Sequence, residues 1–396
     1  MQAQPETHMT LHHDKMNVEI SSKPAQDCSA SHPPLPRHES SLTENGVPSF
    51  AEVELDRLYG SLYSSLSHFR TCDNLDGVNT YVAREGSRVS AIFLYRVAGK
   101  SIQVINEGMR LSAEDVSRFC DALFARYGRN VNVSFHAVQI DGPVLPFTQQ
   151  RFFCTEDFVA TLPDSADAYL ASLGSATRKN IKRHKNRLER AFPDLQYRLD
   201  AKEAAKEEDV RDVIALNRIR MAQKSQASFI DEDETQRILR IVRACGKVFS
   251  VRIDGRLAAG AIVLQIGDSV ISKVNAHDAR YDDYRLGMLC CYLAVCAAIE
   301  SGAKRFHFGH GRYEYKTALL GKHEYYDHVA IYRSRLHMLL HARQATRIAY
   351  DGYRFEASRW LLDRIDTGDG QGWALLRQAL AVWRSRKHRH GSRLTA

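Results

Sequence analysis

Residues 309–316, GHGRYEYK, gather two glycines, a histidine, two tyrosines and a lysine directly behind the β-type run Arg305-Phe306-His307-Phe308. Each type has a use in group transfer. His307 or His310 can take a proton near neutrality, because an imidazole titrates near pH 6.5 or so. Tyr313 or Tyr315 can return a proton to a leaving group, and Lys316 can hold a phosphate or carboxylate. The glycines let backbone N–H groups come close to a ligand. A second constellation, Arg285-Leu286-Gly287-Met288, opens the apolar run LGMLCCYLAVCAAIESG. A helix starting there offers unpaired N–H groups and a positive dipole end to phosphate. Arg285 adds a charge-assisted donor, and Gly287 allows close approach. Ordinary packing competes as a reading: His307 as a strand histidine, and Tyr313, Tyr315, Tyr325 and Tyr326 as sheet side chains. His307 and His310 have no third ligand at metal-binding spacing, so no metal is expected.

The elements that must position these residues are stated twice. Residues 81–106 and 249–276 each read as strand, tight turn with Gly (Glu85-Gly86, Asp254-Gly255), long strand, second Gly turn and third strand. Two-residue Gly turns between apolar runs mark β-hairpins. A helix follows in each half, the first capped by Ser112 with Asp115 three residues on. Each helix stops at a Gly and leads into a further β run, "NVNVSF" or "KRFHF". Between the repeats, residues 178–190 predict a helix with seven Lys/Arg and one Glu. Two more helices follow, the second acidic at its start with Gly246 just past its end.

The chain of 396 residues has room for two or three domains, and its 44% hydrophobic share is ample for sizeable cores. No run reaches the length of a membrane-spanning helix, and the N-terminus lacks the pattern of a secretory signal. The eight cysteines form no C-x-x-C pair, which argues against a zinc knuckle or disulfide framework and fits a reducing cytoplasm. The net charge of +8 is uneven: residues 1–46 hold three Lys/Arg against six Asp/Glu, and residues 346–396 hold ten against five. That suggests a basic surface for anionic partners without choosing among them. Residues 1–48 are polar and rich in Pro and Ser, and read as disordered. Near the C-terminus, Trp373, Leu376, Leu380 and Trp383 share one helical face with a basic end, suited to an anionic membrane surface or to docking on the protein's own core.

The order meander, helix, strand resembles the GNAT acyltransferase fold. The second repeat further resembles the CelD-like acetyltransferase domain of cellulose and exopolysaccharide biosynthesis, itself similar to the FemAB family with two GNAT-like halves in one chain. The residues that carry the likeness are SATRKNIKRHKNRLER, the Gly287 turn with its helix, and the terminal GHGRYEYKTALLG. One departure stands out: the family often has an acid two places before the first Gly of its turn, where this chain has His307. The resemblance implies an α+β protein of two tandem GNAT-like domains, each a mixed, mostly antiparallel sheet flanked by helices. The expected division is a disordered tail (1–48), an N-terminal domain (49–160), a basic helical linker (161–205), a catalytic domain (206–335) and a basic amphipathic extension (336–396). It further implies a cytoplasmic N-acyltransferase using acyl-CoA on an amino sugar or similar amine in polysaccharide or envelope biosynthesis. By its own residues, the extension around 370–390 would either touch the inner face of the membrane or dock on the protein's core. His307, His310, Tyr313, Tyr315 and Lys316 would then be catalytic, and Arg285, Leu286, Gly287 and Met288 would bind the cosubstrate. Two rivals remain: an aminoacyl-tRNA-dependent transferase using the basic helix for tRNA, and a non-catalytic adaptor of a membrane synthase complex.

Overall fold

The chain enters the fold earlier than its composition suggests; the computed structural model describes residues 38–72, 75–223, 228 and 230–367. The expectation of disorder through residue 48 fails at its end, because His38–Thr43 forms strand β1, paired antiparallel with β2 (Asn79–Glu85). An edge strand needs only backbone pairing, so its polar, exposed side chains are no obstacle. Residues 1–37 and the expected C-terminal helical face at 373–383 lie outside the described residues.

The first half continues from the helices α1 (Ala51–Tyr59) and α2 (Leu66–Cys72) to the meander β2, β3 (Arg88–Ala98) and β4 (Ser101–Val104). Then come β5 (Met109–Ser112), α3 (Ala113–Tyr127), β6 (Asn132–Asp141) and β7 (Thr148–Thr161). Ser112 caps α3 as the sequence predicts, accepting from the Asp115 N–H at 3.0 Å and donating to its carboxylate at 2.7 Å. After α4 (Ala166–Ser172) and α5 (Ser175–Ala191) the second half runs through β8 (Gln196–Ala201), α6 (Glu207–Gln223) and α7 (Glu232–Cys245). It repeats the meander as β9 (Gly246–Ile253), β10 (Arg256–Ile266) and β11 (Ser269–His277), followed by α8 (Leu286–Glu300) and β12 (Arg305–His307). A short α9 (Glu314–Ala318), β13 (Lys322–Tyr332), α10 (Arg335–Leu340) and α11 (Ala342–Thr367) complete it.

All the strands join one mixed sheet in the order β1-β2-β3-β4-β6-β13-β7-β12-β11-β10-β9-β8, with β5 beside β6. The two halves exchange their last strands. β13 pairs antiparallel with β6 of the first half, and β7 pairs antiparallel with β12 of the second. Packing follows pairing: Val329 and Ile331 of β13 are buried in the first core, and Phe158 and Ala160 of β7 in the second.

Helix α8 is apolar all round because it is buried on both sides, between the sheet and the helices α4 and α5. Its three cysteines are buried among small apolar neighbours. Segment 161–205 is no spacer. Ile181 and Leu188, seven residues apart and so on one face of α5, are buried in the same core as α8, leaving the helix's cations outward. Helices α6 and α7 cover the opposite face of the second half in a core that also takes in Leu62 of the first.

Candidate active site

The residues expected to hold the donor lie where β11 leaves the sheet. A 3₁₀ segment, Ala279–Tyr284, turns the chain, and Arg285 enters α8 with φ of +51° and no side-chain cap. The first N–H groups of α8 therefore have no carbonyl within the helix and no capping side chain. Arg285, Met288 and Leu289 face Asn180, Ile181, Arg183 and His184 of α5 across a cavity of about 180 Å³. Burial, then the guanidiniums of Arg183, Arg285 and Arg187, push the His184 imidazole below its ordinary range. His184 thus favours its neutral form in a strongly positive site suited to an anion. Of the four residues expected here, Arg285 and Met288 line the cavity, and Leu286 is buried in the core. Gly287 has a reason the sequence did not disclose: a Cβ there would sit 2.4 Å from two ring atoms of His277. That ring is in turn bonded to Asp282 at 2.8 Å. The glycine makes room for the His277 ring.

The residues expected to react end or follow a very short strand. β12 pairs parallel with β11 only from Arg305 to His307, opposite Ser269 to Ile271. β11 runs on to His277, and Lys273 is an extra residue in its ladder with β10, since Ile262 pairs with Val274 and Val263 with Ser272. Such a bulge bends the strand and disrupts local pairing. On the other side the chain turns away at Gly309 (φ +76°) and Gly311 (φ +92°). Ladder pairing between the two strands ends at His307. In the first half pairing carries on: β4 ends at Val104 and β5 takes up pairing with β6.

The 309–316 loop is held from inside. Lys316, only 2% exposed, donates from Nζ to the carbonyls of Gly309 and His310, both at 2.7 Å. One of its three N–H groups remains beyond these two bonds. Its ammonium lies 5.3 Å from the Phe158 ring centre, and burial lowers its pKa to about 8. Tyr315 packs in the second core with its hydroxyl pushed up by burial, then by Cys291 and Tyr313. Tyr313 stacks on it at 6.0 Å with its own ring 46% exposed. His310 is exposed and contributes its backbone carbonyl to the Lys316 clasp.

His307 stands apart from His310. Its Nδ1 is 2.7 Å from Asp157 Oδ2, while its Nε2 is buried without a hydrogen-bond partner. The other Asp157 oxygen accepts from the N–H of Gly309 at 2.9 Å and of Phe158 at 2.7 Å. The carboxylate missing two places before Gly309 is thus supplied from the exchanged strand β7. Beside it, Glu156 bonds His323 at 2.8 Å, and the His323 ring stacks on Phe158 at 4.5 Å. Asp157, Glu156, Phe158 and His323 were not picked out from sequence. The available signal was an acid pair inside a β run, an expensive place for charge unless it is partnered.

Cys291 of α8 stands near the clasped loop. It lies four residues, or about 6 Å along the helix, from Gly287. Asn275 bonds its thiol, and both Lys316 and Tyr315 lie close enough to interact with it electrostatically. Burial pushes that thiol up to about 12, so it stays protonated and is no nucleophile. Among the described residues, no group of three or more His, Cys, Asp or Glu could hold a metal, and no helix is long and apolar enough to cross a membrane.

Residues 175–317, from the start of α5 to Thr317 just past Lys316, match the family model described as an acetyltransferase (GNAT) domain. The match defines this segment as a GNAT-type acetyltransferase domain, set in an α+β fold of two halves with similar strand order. Among curated proteins, none matches significantly. Among solved structures, FemX is similar at 10% identity and a TM-score of 0.44, over 63% of this chain and 87% of that one. L-PGS from Bacillus licheniformis follows at 13% and 0.40, over 64% and 85%. A tandem GNAT protein from the clavulanic acid biosynthesis pathway follows at 13% and 0.36, over 74% and 98%. Likenesses at this level say nothing of substrate.

Proposed function

We propose that the second half moves an acyl group from acyl-CoA to the amine of an amino sugar or similar acceptor, and that the first half serves a structural or acceptor-binding role. Two features support this reading: a basic cavity at the entrance of α8 and the His307–Asp157 pair where the β11–β12 pairing ends. The CoA diphosphate takes the N–H groups of α8 with Arg285 and Arg183. The thioester then lies past the end of that pairing. The amine attacks its carbonyl carbon, forming C–N as C–S breaks, and His307 Nε2 takes the amine proton while Asp157 holds the ring. The third N–H of Lys316 stabilises the developing oxyanion. Tyr315, its hydroxyl kept protonated, or the nearby Tyr313 returns a proton to the CoA thiolate. His310 keeps a place as loop backbone. A role in polysaccharide or envelope biosynthesis rests on the sequence resemblance alone.

A second reading has one observation in its favour: Lys179, Lys182, Arg183, Arg187 and Arg190 are exposed along α5, a stripe that an aminoacyl-tRNA donor would fit. A thermal-shift comparison separates the two. Acetyl-CoA at 100 times its Kd should add about 2.7 kcal/mol of stability, and Arg183→Glu should remove most of that gain. Stabilisation by aminoacyl-tRNA with none by CoA would overturn the first reading in favour of the second.

A further inference from the structure

A cavity of about 300 Å³ lies between the two halves, on the face of the sheet away from α8. Leu62 and Tyr63 of the first half wall one side, Glu234 and Arg237 of α7 the other, and Leu264 and Lys273 form the floor. Strand register fixes its relation to His307. Leu264 pairs with Ile271, and Ile271 with His307. Paired side chains share a face, and three adjacent strands span about 10 Å. Leu264 and Ile271 pack with α7, whereas Val270 and Phe306 pack with α8, so His307 points to the cavity's side of the sheet. Gly60, three residues before Tyr63, sits directly over Ser269 and Arg305 on that side. The first half therefore covers the sheet at Ser269 and Arg305, two residues before His307.

We propose that this cavity between the halves is the acceptor site and that it takes an amine which also carries an anionic group, a carboxylate or a phosphate. The proposal rests on the acyl-transfer reading above and says which amines that site accepts. Its lining is charged in an unbalanced way. Among the described lining residues the one carboxylate, Glu234, is shared between Lys273 at 2.9 Å and Arg237 at 3.7 Å. Two cations against one anion leave a positive surplus, and the Arg237 side chain is 53% exposed. An anionic group on the acceptor meets Arg237, and its amine reaches across Ile271 to His307 Nε2. The donor enters from the α8 side, so attack comes through the sheet from the opposite face. Polycationic amines are repelled by the same charges.

Calorimetry without any donor tests this on the full chain with two matched pairs, glucosamine 6-phosphate against glucosamine and 6-aminohexanoate against hexylamine. The anionic member of at least one pair should bind tenfold or more tightly. The preference should shrink as salt rises and vanish in Arg237→Gln. Arg237→Lys should keep part of it, and acetyl-CoA affinity should not change in either variant. Equal binding within both pairs, a preference that survives Arg237→Gln, or no binding by any of the four amines at millimolar concentration would each overturn the proposal. Failure of the acyl-transfer reading looks different: Arg237-dependent binding of an anionic amine with no thiol released from acetyl-CoA.

Discussion

Asp157 and His307 form the pair on which the proposed chemistry turns, and each gives a distinct expectation. Asp157→Asn keeps an acceptor for the Gly309 N–H but loses the charge that steadies the imidazole. Its kcat should fall by about 10²-fold or more, within the usual range for general base catalysis, with little change in KM for the donor. His307→Gln should lower kcat at least as far; an unchanged kcat in that variant would remove His307 from the mechanism. Lys316 makes a different prediction, about stability. Burial lowers its pKa from 10.5 to about 8, so the folded state penalises the ammonium. Between those values the unfolded chain binds more protons, and stability must rise with pH through that window; below it the penalty is present in full. The difference in urea midpoint between wild type and Lys316→Met should therefore shift in favour of the wild type from pH 7.5 to pH 10. A difference that stays flat would mean that the lysine is not held as a destabilised cation.

Helix α8 is an element whose entrance matters more than its length. Gly287 gives way to the His277 ring, and His277 is tied to Asp282, which Arg220 also contacts at 3.2 Å. Gly287→Ala should cost about 1–3 kcal/mol, as overpacking of a filled site does, and should weaken acetyl-CoA binding by tilting the helix N-terminus. Adding His277→Ala should recover much of the stability, which thermal denaturation of the single and double variants would read. If the double variant were no more stable than Gly287→Ala alone, the steric account of this glycine would fail. Helix α5 teaches a related lesson. Its cations made it look like a solvated spacer, yet Ile181 and Leu188 suffice to seat it beside α8.

Exchange of β7 and β13 binds the two halves into one cooperative unit. Neither half contains the strand that completes its own sheet, and Asp157 reaches His307 only because β7 crosses over. Residues 38–161 and 162–367 made as separate polypeptides should therefore fail to fold alone, each exposing unpaired strand edges and half-covered cores. Co-expressed, they should reassemble, and the intact chain should unfold in a single transition. Circular dichroism and size-exclusion chromatography would decide. An independently folded, monomeric second half with acyltransferase activity would show the exchange to be dispensable.

Much was legible in the residues themselves. Alternation and paired Gly turns announced both meanders, Ser112 and Asp115 announced a cap, and the density of His, Tyr and Lys after β12 drew notice to the loop that Lys316 clasps. Those signals are local, set by backbone sterics and by neighbours a few residues apart. What the linear order concealed were contacts between distant segments. A carboxylate 150 positions away stands against His307, a histidine fills the space over Gly287, and β5 continues in the first half a pairing that ends at His307 in the second. Such pairings depend on which strand lies beside which, and that is decided when whole faces of apolar side chains are buried together, a choice made by the folded sheet and by no single stretch of sequence.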